Sequence, residues 1–319
     1  LPIGSGKVSG QGIPTMTDVA LTPTTGLWSK LYHGKTLPIL TVVIAILFAW
    51  YAGAVYLNSD TLISTYERTN VEWDGKKLIT DSWSMDRPIL PAPHQIVEEL
   101  NKTVFQKNIT SKRSLIYHSW VTTSATLLGF LFGGLLGVLL AVGIVHVQTL
   151  DRSLMPWVIA SQTIPILAIA PMIVVVLGNV GLTGTIPKAI ISMYLCFFPI
   201  TIGMVKGLRS PDVLQMDLMR TYSASTSQIF WKLRVPASIP FLFASLKVAV
   251  AISLVGAIVG ELPTGAVAGL GARLLSGSYY GQTIQIWSAL VMASLLGMLL
   301  VYIVTVIEKV VLKNMGARS

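Results

Sequence analysis

The sequence predicts an all-α membrane protein with six transmembrane helices, and three observations carry that prediction. Of the 319 residues, 53% are hydrophobic and only 12% charged, whereas a typical soluble domain carries about a quarter charged residues. Six runs, at 37–57, 120–146, 154–180, 186–205, 238–262 and 283–308, are long and apolar enough to cross a hydrocarbon core of about 30 Å as helix. None of them alternates apolar and polar positions, as a membrane β-strand of about ten residues does. A buried helix of a soluble protein would account for one such run but not for six in one chain.

The runs divide the chain. Residues 1–36 form an N-terminal tail whose opening, 1–26, is rich in Gly, Ser, Thr and Pro and reads as flexible. The first run, 37–57, is expected to stay as a span: mostly polar residues precede it and no small-residue cleavage site follows, unlike a signal peptide. A polar segment, 58–119, comes next. A five-helix core, 120–308, and a short tail, 309–319, complete the chain.

Charge sets the expected orientation, because Lys and Arg collect on the cytoplasmic side of a polytopic protein. With the N-terminus inside, Lys7, Lys30, Lys35, Arg152, Lys206, Arg209, Arg220, Lys232, Arg234, Lys309, Lys313 and Arg318 are cytoplasmic, and the two short outer loops hold only Lys188 and Arg273. The net charge of +9 is thus accounted for by topology, and nucleic acid is not an expected partner. The 58–119 segment, then extracytoplasmic, balances eight basic against eight acidic residues. Within it "LPAPHQIVEELNKTVF" at 90–105 reads as a Pro-rich lead into a short amphipathic helix lying on the surface.

The single cysteine, Cys196, falls inside an apolar run, which leaves no intramolecular disulfide and no multi-Cys metal site; it reads as packing. With four His, no nucleophile, base and orienting group assemble into a catalytic set, and no metal site is expected.

The segment 206–236 interrupts two apolar runs. Ser210-Pro211-Asp212 has the form of a helix start, with Ser as cap, Pro at the first helical position and Asp at the positive end of the dipole. The helix should run to about Tyr222. Ser225-Thr226-Ser227-Gln228 has the Ser-x-x-Gln form of a capping box, so a second short helix should follow and end near Pro236. Met216, Met219 and Tyr222 on the first helix, with Ile229, Phe230 and Leu233 on the second, give the pair an apolar side beside Arg220, Lys232 and Arg234. That side suits a groove on a cytoplasmic partner; helical pattern alone equally suits a basic loop lying on anionic lipid.

Spacing separates the two readings. Asp217-Leu218-Met219, then Ser223 six residues after Asp217, then Pro236 thirteen residues after Ser223, resembles the cytoplasmic Glu-Ala-Ala…Gly…Pro loop of ABC importer permeases, with Leu-Met for the Ala pair and Ser for Gly. "LPAPHQIVEEL", "SWVTTSATLLGFLFGGLLGVLLAV", "QTIPILAIAPMIVVVLG" and "VPASIPFLFASLKVAVAISLVGAIVGEL" are similar, in order and spacing, to permeases of the nitrate/sulfonate/taurine type, from about 88 to 312. The resemblance implies a type I ABC importer permease fold in a bacterial inner membrane. It also implies a loop that docks on an ATP-binding subunit, with Asp217, Met219, Arg220, Ser223, Ala224, Ile229, Phe230 and Pro236 at the coupling positions. The implied partners are two ATP-binding subunits, a second permease copy or a homologous permease, an external binding protein and membrane lipid. The implied solute is small and polar or anionic: nitrate, a sulfonate, taurine, bicarbonate or a pyrimidine precursor.

The chain shows no Gly-x-x-x-x-Gly-Lys-Ser/Thr phosphate loop, so ATP and Mg are expected on a separate ATPase and no cofactor on this chain. Polar groups at membrane depth usually face a cavity or the bundle interior. Gln162, Thr163, Ser253 and Glu261 are therefore the candidates for the translocation pathway. Three of them have a structural alternative: Gln162 and Thr163 patch carbonyls freed by Pro165, and Glu261 caps the Gly-rich re-entrant stretch that follows it. Lys247 is expected to snorkel to the cytoplasmic face. The competing function, an ion-coupled secondary transporter, would call for intramembrane Asp, Glu or His relays, and apart from Glu261 the predicted spans offer almost none.

Overall fold

The computed structural model describes residues 36–263 and 266–316, and among these residues the structure is helical, without strands. The Gly/Ser/Thr/Pro-rich opening lies outside the described residues. The helices are α1 (Thr36–Thr69), α2 (Gly75–Ser84), α3 (Pro93–Val104), α4 (Leu115–His146), α5 (Gln148–Ala160), α6 (Ile166–Asn179), α7 (Thr185–Leu208), α8 (Val213–Thr221), α9 (Thr226–Ile229), α10 (Val235–Glu261), α11 (Leu270–Tyr279) and α12 (Thr283–Asn314). Five helices are long and apolar enough to cross a membrane, and a sixth crossing exists if the α5–α6 pair counts as one. Residues 36–49 of α1 are exposed along nearly all of their described length.

Five expected spans appear as single helices, and the third differs. It breaks at Ser161–Thr163, and the helices on either side are bent by 99°. Pro165, preceding α6, cannot supply the N–H that would continue the ladder, and Thr163 and Ser161 turn their hydroxyls back to the carbonyls of Ala160 and Val158, both at 2.7 Å. The Tyr194 hydroxyl of α7 donates to the Ser161 carbonyl at 2.6 Å and holds the break against the bundle.

The first span is longer than its apolar run. α1 continues to Thr69 because Ala54, Asn58, Leu62 and Tyr66, at four-residue intervals, are all buried and present one face to the α2 segment. Asn58 is fully buried and satisfied on both sides of its amide: Nδ2 donates to Leu90 O (3.0 Å) and Ser82 O (3.3 Å), and Oδ1 accepts from Ile89 N (2.7 Å) and Leu90 N (3.2 Å). Tyr66 donates to Asp81 at 2.5 Å. The result is a helical hairpin of α1 and α2. The amphipathic helix expected in 90–105 is α3, with Pro93 in its first turn.

The core is three helices, with α7 packed against both α4 and α10. Close approach is written in small residues. On α4, Ala125, Gly129, Gly133, Gly137 and Ala141 recur every four residues, and all are buried. A Cβ at Gly129 would stand 2.4 Å from Ser192 Cβ, and one at Gly133 would stand 2.3 Å from Cys196 Sγ. Cys196 therefore does pack, inside the α4–α7 seam. On the other side, Gly256 and Gly260 of α10 meet Ser192 and Lys188, while Gly203 and Gly207 of α7 meet Ser245 and Ser238. In a membrane such contacts replace the hydrophobic drive that lipid removes.

Candidate functional site

Two places gather the chemistry, one at each end of the bundle. At the end where α7 finishes and α10 begins lies the 212–234 segment, and its bends are specified locally. α8 starts on Asp212, whose carboxylate accepts from Val213 N at 2.7 Å while Gln215 Oε1 accepts from Asp212 N at 3.2 Å. The cap is thus Asp212, not Ser210, which instead turns its hydroxyl to Gly207 O at 2.8 Å. Pro211 accordingly precedes the cap rather than occupying the first helical position.

α8 ends in a Schellman arrangement. Ala224 N donates to Met219 O (3.0 Å) and Ser223 N to Arg220 O (2.8 Å), with Ser223 at φ +49°. That is the left-handed position glycine normally fills, and here Ser223, which stands for the glycine of the loop pattern, occupies it. Ser225 accepts from Gln228 N at 3.3 Å and Gln228 Oε1 accepts from Ser225 N at 2.8 Å, completing the expected capping box.

The second helix does not stop at Pro236. A π-turn over Phe230–Arg234, with Val235 N donating to Phe230 O, leads straight into α10. Pro236 then falls in the first turn of the α-helical stretch, where a missing N–H costs little. The chain is helical from Thr226 to Glu261.

The apolar side of the segment also differs from expectation. Leu214, Leu218 and Tyr222 share one face of α8 and are 78%, 56% and 77% exposed; Trp231 is 65% exposed. Met216, Met219, Ile229 and Leu233 are half-buried. Phe230 packs inward, against the cluster of Ala141, Ile144, Met204, Val205 and Leu208, with its ring 4.8 Å from His146. Of the apolar side expected from the sequence, Tyr222 is exposed while Met216, Met219, Ile229, Phe230 and Leu233 are partly covered, and Leu214, Leu218 and Trp231 join Tyr222 on the outer surface. Asp217 and Arg220 pair with each other at 3.0 Å on the exposed surface. Arg209 reaches Asp151 at 2.8 Å and ties the end of α7 to α5.

At the opposite end, Glu261 closes α10 and is fully buried. The Thr122 hydroxyl stands 3.0 Å from both of its oxygens, Lys188 Nζ is 3.4 Å from Oε1, and Gly271 N donates to Oε2 at 2.8 Å. Lys188, assigned by sequence to an outer loop, lies in the first turn of α7 and also donates to Ala268 O at 2.9 Å. Leu270 N donates to Thr122 Oγ1 at 2.9 Å. Gly269 N donates to His118 Nδ1 at 3.0 Å, which places the ring proton on Nε2, facing Lys112 O at 2.9 Å. Side chains of α4, α7 and α10 thus converge on one backbone stretch, 268–271. Gly269, at φ +129°, has no room for a Cβ, which would lie 2.1 Å from Glu261 Cδ. Lys188 and residues 266–268 also border a cavity of about 550 Å³ shared with Tyr117, Thr185 and Val174.

The other polar residues separate. Ser192 donates to Ser253 O (2.6 Å) and Ser253 to Thr126 O (2.9 Å), a buried polar stitch through α4, α7 and α10. Gln162 and Thr163 are exposed at the α5–α6 break. Lys247 pairs with Glu308 of α12 at 2.5 Å. Thr122, His118, Lys188 and Glu308 were not singled out in the sequence. For His118, Lys188 and Glu308 the one signal is the scarcity of ionisable groups near the spans, which is not a local one; Thr122 has none.

Five or six helices long enough to cross a membrane, packed through glycines, have the architecture of a polytopic membrane protein. Residues 133–316 match the family described as binding-protein-dependent transport system inner membrane component, and the chain belongs to that family. It is 31% identical over 208 residues, 65% of this chain and 82% of the relative, to a probable ABC transporter permease protein of Haemophilus influenzae. It is 32% identical over 214 residues, 66% of this chain and 80% of the relative, to the formylaminopyrimidine transport permease protein ThiX of Halalkalibacterium halodurans. The riboflavin transport system permease protein RibX of Chloroflexus aurantiacus is 28% identical over 225 residues, 70% of this chain and 80% of its own length. The chain is a transport subunit of an ABC importer rather than an enzyme, and its family works with an ATPase and a solute-binding protein.

Proposed function

We propose that this permease sits in a bacterial inner membrane with the 212–234 segment in the cytoplasm and the 58–119 segment, from the C-terminal part of α1 through α2 and α3, outside. There it docks one of two ATP-binding subunits through Leu214, Leu218, Tyr222 and Trp231, with Asp217 and Arg220 at the rim. The second ATPase serves a second copy of this chain or a homologous permease. ATP and Mg reside on the ATPases. The observation that carries the reading is the exposed apolar row on a short helix fixed at both ends by its own caps: a segment built this way keeps its shape when pushed. Met219, Ser223, Ala224, Ile229, Phe230 and Pro236 hold that shape or join it to the bundle.

For the pathway, Gln162 is the better candidate, since Ser253 and Glu261 are engaged with internal partners and the Thr163 hydroxyl is turned back to Ala160 O. The solute proposed is small and polar, with nitrogen heterocycles of the pyrimidine-precursor class first, because formylaminopyrimidine and riboflavin appear in the names of two relatives. Nitrate and sulfonates also appear among the relatives.

Co-expression with the ATPase and purification through a tag on the permease tests the docking. Leu218→Asp with Tyr222→Asp should insert normally and lose the ATPase, because two carboxylates in an apolar contact are desolvated without partners. Undiminished ATPase recovery contradicts the reading.

A further inference from the structure

The convergence at Glu261 is expensive for what it holds. Charged side chains near the membrane interior are costly and rarely retained for structure alone, and a buried ion pair recovers its desolvation only when further hydrogen bonds complete it. Here those bonds go to a single stretch of backbone: Ala268 O, Gly269 N, Leu270 N and Gly271 N are each taken by a different side chain, from Lys188, His118, Thr122 and Glu261. A hydroxyl or amide would suffice to cap α11.

The four side chains, one donor and three acceptors, belong to three separate helices. The set therefore forms in one relative arrangement of α4, α7 and α10, and a shift of about 1 Å in any of them takes bonds of 2.8–3.0 Å out of range. Such a network is made or lost as a unit. Glu261 is also the last residue of the uninterrupted helical stretch that starts at Thr226. That stretch, 36 residues, is about 54 Å of rod at 1.5 Å per residue, with the docking segment at one end and the carboxylate at the other.

We propose that His118, Thr122, Lys188 and Glu261 form a clasp on 268–271 that holds the adjoining 266–268 wall of the cavity in place, and that displacement of α10 by the ATPase withdraws the Glu261 carboxylate and frees that wall. These four are positioning residues for the outer side of the transport cycle. The proposal rests on the docking reading for its drive but not for its resting geometry. Release of the wall changes the cavity in step with the cytoplasmic segment, which is the coupling an importer needs between its two ends.

The test uses the permease with its ATPase in nanodiscs, with Cys196→Ala and Leu270→Cys as a reporter, since Leu270 is fully buried at rest. Reaction with a membrane-impermeant maleimide is followed nucleotide-free and with Mg-ATP on a hydrolysis-deficient ATPase. Labelling should accelerate at least tenfold with Mg-ATP. Thr122→Val should give the fast rate without nucleotide, and Thr122→Ser, which restores the hydroxyl, should return the slow one. Equal rates with and without nucleotide, on complexes that retain the ATPase, overturn the proposal. So does a Thr122→Val rate equal to that of the parent, an arm that holds even if the ATPase does not dock. Loss of the ATPase from the unmutated reporter complex would instead count against the docking reading.

Discussion

The cytoplasmic segment and the Glu261 clasp are built by opposite rules. In 212–234 every bend is set by residues within six positions of one another: Asp212 with Gln215, Ala224 with Met219, Ser225 with Gln228. In the clasp the partners are 139, 73 and 151 residues apart, for Thr122–Glu261, Lys188–Glu261 and His118–Gly269. The first holds its own shape and can be moved as a block. The second exists only when three helices agree. A local unit suits the end that receives force, and a long-range one suits the end that must respond to it.

The sharpest way to break that contrast is to unpair the clasp. Lys188→Met leaves a buried carboxylate without its cation and should cost about 3–5 kcal/mol, read as a large fall in thermal stability in detergent. Lys188→Met with Glu261→Gln, which keeps an acceptor for Gly271 N, should recover more than half of the loss. Additive losses would mean that the two residues act independently.

Gly133→Ala comes next, at about 1–3 kcal/mol, because the added methyl meets Cys196 Sγ at 2.3 Å in a seam that cannot open without moving α7. Gly134→Ala, whose nearest neighbour would be 3.8 Å away, should melt with the parent. Equal melting of the two variants would show that α4 and α7 are not packed through the glycine row.

The local segment should respond less, and without disturbing the bundle. Ser225→Ala removes one cap and should cost about 1 kcal/mol, seen as faster amide exchange confined to 226–234. Ser223→Gly should slow exchange over 219–224 by up to about 1 kcal/mol of stabilisation, since glycine occupies positive φ without strain. A change that spreads from either substitution into α4 would erase the difference between a self-contained segment and a shared one.

This contrast also explains what the sequence made legible. The spans and the Ser225 capping box are encoded in stretches short enough to read by eye, and the Ser that stands for Gly at 223 marks the bend without giving its left-handed geometry. Phe230 was misplaced because periodicity gives the faces of a helix but not which one meets the bundle, and the π-turn rotates the register just there. Pro236 was read as a stop because a π-turn leaves no composition signal. Pro165 marks freed carbonyls in the third span, but not a break with 99° between the helices. Thr122, His118 and Lys188 carry no local mark at all; only the packing of α4, α7 and α10 through small residues brings them to Glu261.

The central claim, that this chain moves solute only when an ATPase drives it through the 212–234 segment, is tested most directly by uptake into proteoliposomes. The permease, reconstituted with its ATPase, its binding protein and, if the core is mixed, its partner permease, should accumulate solute with internal Mg-ATP. Uptake should stop when the ATPase cannot hydrolyse, and no uptake should follow an ion gradient imposed on the permease alone. Gradient-driven accumulation by the permease alone would contradict the account.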